Sequence, residues 1–183
     1  MIKGKKTRIR PLEADDLEQL YLWYSDPAFV LAVSGGWPQA SFLRRDEIAA
    51  RFYDEDPNRH AILNSEDELI GTIGFDLMNP SARSARLFLG LGRPENWGRG
   101  LGTDALITFC RYLFAQWNFR RLTAETWEGN SRAAACYRRA GFVQEGVLRE
   151  AYYTEGAYRD GLIFALLKKE FGRDLHFAAD AIE

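Results

Sequence analysis

A chain of 183 residues, 46% of them hydrophobic and 27% charged, is long enough to bury a core without disulfides or metal and is not composed like a disordered segment. Its 24 basic and 26 acidic residues leave a net charge of −2, which gives a general nucleic-acid-binding role no electrostatic support. No run approaches the roughly 20 apolar residues of a membrane span, and no apolar stretch follows the opening Met-Ile-Lys-Gly-Lys-Lys to make a secretory signal, so a cytoplasmic location is expected.

The basic cluster over 3–10 reads as solvated surface. Within it a short strand, 7–10, ends at Pro11. Asp15 and Asp16 lead a helix whose apolar positions Leu17, Leu20, Tyr21 and Tyr24 recur at helical spacing, and acidic residues in a first turn suit the helix dipole. Asp26-Pro27 is expected to stop it. A loop containing Ser34-Gly35-Gly36-Trp37-Pro38 precedes a weaker helix over about 41–53, with Leu43, Ile48 and Phe52 directed at the core.

From His60 the periodicity changes. Segments 60–64, 69–77 and 84–92 read as strands of an antiparallel meander, joined by turn signals at Ser65-Glu66-Asp67 and Asn79-Pro80-Ser81. After Trp97-Gly98-Arg99-Gly100-Leu101-Gly102-Thr103 comes a long helix whose apolar face is Ala105, Leu106, Phe109, Cys110, Leu113, Phe114 and Trp117. Arg121–Trp127 is a strand, 131–140 a helix closed by Gly141, and 142–148 with 158–167 a final strand pair. Strand, loop, helix and strand in that order predict one parallel, right-handed crossover in an otherwise antiparallel sheet. The expected fold is mixed α/β, a twisted sheet of about seven strands with helices on both faces. One domain over 1–183 is expected, with 172–183 as its tail. Cys110 and Cys136 lie in helical segments and are expected to be reduced thiols. His60 and His176 are far apart in sequence and there is no CxxC, so no metal site is expected.

Glycines at 98, 100 and 102, between a strand and a long helix, leave successive backbone N–H groups bare where the helix dipole is positive, which suits a pyrophosphate. Arg99 adds a positive charge, and Thr103 is able to cap the helix or donate a hydroxyl. The dinucleotide fingerprint fails because its third glycine is Thr103, and a triphosphate loop fails because no Gly-Lys-Ser/Thr follows. On the loop alone, a glycine-rich turn with no ligand stays open.

Downstream lies Asn130, followed seven residues later by Tyr137 and then by Gly141-Phe142. Together with Trp97-Gly98-Arg99-Gly100-Leu101-Gly102, this resembles the GNAT superfamily of acetyl-coenzyme A dependent N-acetyltransferases, across about 7–170. The family loop has the form Gln/Arg-x-x-Gly-x-Gly/Ala; its first position is Trp97 here. The run from Glu145 through Tyr153 to Tyr158-Arg159-Asp160 looks like the branch that holds ribosomal-protein and spermidine N-acetyltransferases. Ala133 and Tyr137 look more like its polyamine and small-amine members.

The resemblance implies acetyl-coenzyme A as co-substrate, gripped by residues 97–103, with Asn130 orienting it and Tyr137 protonating the departing sulfur. It also implies that strands 85–92 and Arg121–Trp127 splay apart, so that backbone groups of Gly90, Leu91 and Gly92 pair with the pantetheine arm. The acceptor amine attacks the thioester directly. An amine with a pKa near 10.4 costs about 4.6 kcal/mol to deprotonate at pH 7, an α-amino group near 8 only about 1.4, so the former needs a base. Glu125, alternating with Thr123 and Trp127, is the first candidate; a surface pairing with Arg120 or Arg121 is the competing reading. The acidic residue frequent in the family on the preceding strand is replaced by Arg86. Cys136 lacks an activating base and reads as a small core residue rather than a nucleophile.

The expected function is therefore N-acetylation of a polyamine, a small amine or a peptide N-terminus. The alternatives are a coenzyme A-binding sensor without turnover and an enzyme for a longer acyl donor. Acceptor choice is assigned to 12–56, where Asp54, Glu55 and Asp56 are candidates to attract cations and a solvated charge run is the competing reading, and to 151–156. The oligomeric state is not fixed by sequence; a homodimer is one option.

Overall fold

The computed structural model describes residues 1–35, 43–54 and 58–172, with backbone alone at 53 and 54. Its elements in chain order are β1 (Ile2–Lys3), β2 (Arg8–Pro11), α1 (Leu17–Tyr24), α2 (Pro27–Ser34), α3 (Arg45–Ala49), β3 (His60–Leu63), β4 (Leu69–Asn79), β5 (Ser84–Leu91), α4 (Leu101–Gln116), β6 (Arg121–Trp127), α5 (Ser131–Arg139), β7 (Val143–Thr154) and β8 (Ala157–Leu167). All eight strands form one sheet in the order β1-β2-β3-β4-β5-β6-β8-β7. Only β5 and β6 run parallel, and α4 supplies the crossover that a parallel pair requires.

The expected seven strands become eight through β1, a two-residue strand paired to β2, too short to leave a periodicity. The last hairpin is also longer than its apolar pattern. Strand β7 runs on to Thr154 past a register shift between Leu148 and Tyr152, where Glu150 takes a positive φ and its N–H donates to Asp160 at 2.9 Å. That irregularity interrupts the alternation that would have marked the strand.

Asp26-Pro27 stops α1 but also starts a helix that the sequence reading omitted. The Asp26 carboxylate accepts from the Ala28 N–H at 2.9 Å, Pro27 occupies the first turn, and Gly35 closes α2 at a left-handed φ of 67°. Of the expected loop, Ser34 thus ends a helix, while 36–38 lie outside the described residues. The helix expected over 41–53 is an α-turn at Arg45–Ala49 running into a wider π turn at Ala50–Asp54.

Helices cover both faces of the sheet, and β3 shows the division. Its Ile62 joins the core under α4 and α5, with Phe75, Leu106, Phe109, Leu122 and Phe164, whereas Ala61 and Leu63 join the core under α1, α2 and α3, with Leu20, Trp23, Phe29, Ile48 and Phe52. Among the described residues, no helix is long and apolar enough to cross a membrane.

Candidate active site

The parallel ladder between β5 and β6 is short. It runs from Ser84 opposite Arg121 to Leu87 opposite Ala124 and stops there, although β5 continues to Leu91 and β6 to Trp127. Past that point each strand stays bonded to its outer neighbour, β5 to β4 and β6 to β8. The edges at 88–91 and 125–127 therefore share no ladder bonds with each other, the gap that an extended amide chain fills.

A groove of about 490 Å³ opens beside that gap. Gly90, Leu91, Trp97, Gly98, Gly100, Gly102, Thr103 and Asn130, all sequence candidates, line it. Gly98 at φ 72° and Gly100 at φ 81° hold left-handed conformations that a side chain would strain. Gly100 is the N-cap of α4, so the next N–H groups have no acceptor within the helix and point out of its positive end. Thr103 is thus not the cap; its hydroxyl lies 3.6 Å from the Cys136 sulfur across the groove. The Trp97 indole donates to the Leu91 carbonyl at 2.9 Å and fixes the loop to the end of β5.

Three of the cofactor-binding candidates are not among the groove-lining residues. Gly92 packs against Trp23, whose ring atoms would lie 1.8–2.2 Å from an added Cβ, so this glycine makes room for α1. Leu101 turns into the core. Arg99 meets the loop through its carbonyl, which accepts from the Lys6 ammonium at 3.0 Å. Part of the basic cluster taken for solvated surface is thereby brought to the loop.

Asn130 caps α5, accepting from the Ala133 N–H at 3.2 Å and donating to the Ala32 carbonyl at 2.8 Å, which ties α5 to α2. Tyr137 is buried among Phe142 and Phe164. Its hydroxyl meets the Glu125 carbonyl at 3.5 Å, on β6 where the strands have parted; the groove wall itself is made by its neighbours Ala133, Ala135, Cys136 and Arg139. Burial, reinforced by Cys136, Tyr152 and Glu125, pushes the Tyr137 phenol above its ordinary range and keeps it a proton donor.

The Glu125 carboxylate does not pair with Arg121, whose partner is Glu145. It accepts from the Tyr152 hydroxyl at 2.9 Å, and burial together with the charge of Glu125 pushes that phenol up. Glu125 and Tyr152 both act electrostatically on Arg86, which makes a two-pronged salt bridge to Asp76 at 2.8 and 2.7 Å. Tyr152 escaped the sequence reading because only the fold brings it to Glu125. Cys136 is half-buried and faces the groove rather than the core alone, and burial pushes its thiol up, against activation.

A second cavity, about 580 Å³, abuts the groove: Val33, Leu89 and Gly90 line both. Its other walls include Tyr24, Phe29, Phe52, Phe88, Arg51, Arg59, Asp76 and Arg86. Of the acidic residues expected to draw cations, Glu55 and Asp56, and the side chain of Asp54, lie outside the described residues.

Residues 6–143 match the acetyltransferase (GNAT) domain family. The chain belongs to that family. By family, then, this GNAT protein is an acetyl-coenzyme A dependent N-acetyltransferase. It is 27% identical to an uncharacterized N-acetyltransferase p20 of Bacillus licheniformis over 91% of this chain and 96% of that one. To the spermidine N(1)-acetyltransferase of Escherichia coli K12 it is 23% identical, over 93% and 91%. Its fold matches the crystal structure of spermidine N-acetyltransferase from Vibrio cholerae in complex with CoA and spermine, with a TM-score of 0.79 and 23% identity over 90% and 96% of the two chains.

Two basic residues of this GNAT groove went unread in the sequence. Arg132 lies 4.0 Å over the Trp97 ring and lines the groove with Arg139. Spaced seven apart on α5, with Cys136 between them, they share one face. That spacing was the available signal.

Proposed function

We propose that this chain moves the acetyl group of acetyl-coenzyme A to a primary amine by direct attack. The observation that carries the reading is the parting of β5 and β6 beside the left-handed glycines that open α4, with the Tyr137 hydroxyl at its inner end. In the groove, N–H groups at the head of α4, Arg132 and Arg139 suit a diphosphate and a further phosphate, with Lys6 held beside the loop at the Arg99 carbonyl. The edges at 88–91 and 125–127 suit an amide-bearing arm. That the Vibrio cholerae enzyme is described with CoA and spermine supports the same use of this fold.

The amine enters from the cavity beyond Gly90, and its nitrogen attacks the thioester carbonyl. The new C–N bond forms as the C–S bond breaks; one proton leaves nitrogen and one reaches sulfur. Tyr137 donates a hydrogen bond to the sulfur as negative charge gathers on it. An ordinary phenol at about 10 is a weaker acid than a thiol at about 8.5, and burial widens the difference, so Tyr137 stabilises the thiolate and passes on a proton only as the amine supplies one. Its bond to the Glu125 carbonyl is long at 3.5 Å, which leaves the hydroxyl able to favour a closer, charged acceptor. Glu125 takes the amine proton, directly or through water.

The test is free-thiol release from acetyl-coenzyme A against polyamines, amino acids and peptide N-termini. We expect turnover with at least one class and a fall in kcat of about 100-fold or more for Tyr137→Phe, with acetyl-coenzyme A affinity unchanged. Binding without thiol release across the panel would favour the sensor reading instead.

A further inference from the structure

Glu125 stands on β6 just where the ladder to β5 has ended. Its carboxylate makes no ion pair among the described residues; Arg86, whose charge bears on it, gives both prongs of its fork to Asp76 at 2.8 and 2.7 Å. One hydrogen bond orients the carboxylate instead: the Tyr152 hydroxyl donates to Oε1 at 2.9 Å. The second oxygen, Oε2, has no hydrogen-bond partner among the described residues. A glutamate side chain keeps several rotamers open unless something holds it, and a base works only within hydrogen-bond reach of the proton it takes.

Tyr152 is itself held. It lies on β7 beyond the bulge at Glu150, and its ring fits between two glycines. A Cβ added to Gly35, at the end of α2, would lie 3.0 Å from Tyr152 Cδ1. One added to Gly161 of β8 would lie 3.1 Å from Cε2, on the opposite edge of the ring. Two different elements thus leave room for this one side chain. In that seat burial, then the charge of Glu125, pushes the phenol above its ordinary range, so it stays protonated and serves Glu125 as a donor.

We propose that Tyr152 is a positioning residue for acetyltransfer: it pins Glu125 through Oε1 and leaves Oε2 to take the proton of the acceptor amine. The inference rests on the acetyltransfer reading above, with Glu125 as its base. The proton leaves nitrogen for Oε2, directly or through water, and passes on to solvent before the next turnover. Donation to Oε1 favours the ionised carboxylate and so lowers its basicity, but it holds the accepting oxygen in place, and alignment is the larger effect.

Tyr152→Phe tests this, because it keeps the ring in its seat and removes the hydroxyl alone. With the best amine of the panel above, kcat is expected to fall at least about fivefold while KM for the amine changes by less than about twofold. Unchanged acetyl-coenzyme A affinity shows that the variant is folded. In a Glu125→Gln background the same substitution is expected to lower kcat by less than about twofold, because a residue that acts through another falls silent once the other is gone. A packing role would add its loss to that of Glu125→Gln. A smaller fall in kcat or any gain, a loss carried by KM, or a loss that persists in the Glu125→Gln background would overturn the inference and leave acetyltransfer standing. A Glu125→Gln enzyme as active as the parent would remove the base and this inference together. No turnover with any amine would overturn the acetyltransfer reading and this inference with it.

Discussion

At Glu125 a carboxylate accepts a hydrogen bond from the half-buried phenol of Tyr152, while its own backbone carbonyl meets the buried phenol of Tyr137. Proton removal is the one step for which the acceptor sets the difficulty. An amine near pKa 10.4 must give up about 4.6 kcal/mol at pH 7 and one near 8 about 1.4, so a carboxylate base matters most to the former. Glu125→Gln is therefore expected to lower kcat/KM by about 100-fold for a primary alkylamine and by less than about 10-fold for a peptide N-terminus; equal losses for both would remove Glu125 from the proton path. Spacing made both members of the Glu125–Tyr137 contact legible, since strand alternation marked one and the interval from Asn130 the other. Tyr152 was not legible, because the bulge at Glu150 breaks the pattern that would have placed it.

Elements hold the site through a few junctions, and the densest is at the head of α4. One carboxylate, Asp104, accepts from the N–H groups of Lys5, Lys6 and Thr7 at 2.9–3.0 Å and from the Thr7 hydroxyl at 2.7 Å. The N-terminal segment is thus clamped to the turn that presents the glycine loop, and Lys6 reaches on to the Arg99 carbonyl. Gly4 permits the approach, since a Cβ there would lie 2.4 Å from Asp104. Removing a carboxylate that serves several donors costs more than one ordinary hydrogen bond, so Asp104→Ala should destabilise the chain by about 2–3 kcal/mol. That corresponds to a fall in Tm of about 4–12 °C for a chain of this size, with weaker acetyl-coenzyme A binding alongside. A Tm within about 1 °C of the parent would show that water replaces the clamp without cost. The sequence displayed β6 to the residue, and the buried face of α4, although it started that helix about three residues late, because both elements bury one side. It hid α2, because Asp26-Pro27 is a stop signal and a start signal at once, and it hid the Asp104 clamp, which joins residues almost a hundred positions apart.

Across the whole molecule the sheet is two lobes, β1 to β5 and β6 with β8 and β7, joined in the sheet by four register pairs from Ser84–Arg121 to Leu87–Ala124. The core under α4 and α5 spans this seam, with Leu87 and Leu122 in one cluster, but the edges beyond it share no ladder. A ligand that pairs with both edges closes the seam; one that occupies only the glycine loop does not. Equilibrium stability cannot tell these apart, because any ligand at 100 times its Kd adds about 2.7 kcal/mol, or about 5–11 °C in Tm, wherever it binds. Local opening can tell them apart. Acetyl-coenzyme A and adenosine 3′,5′-bisphosphate, each at 100 times its own Kd, are expected to raise Tm alike, while only the former slows amide exchange at both 88–91 and 125–127. Equal protection by the nucleotide fragment, or protection of one edge without the other, would mean that the pantetheine arm does not lie between the two strands.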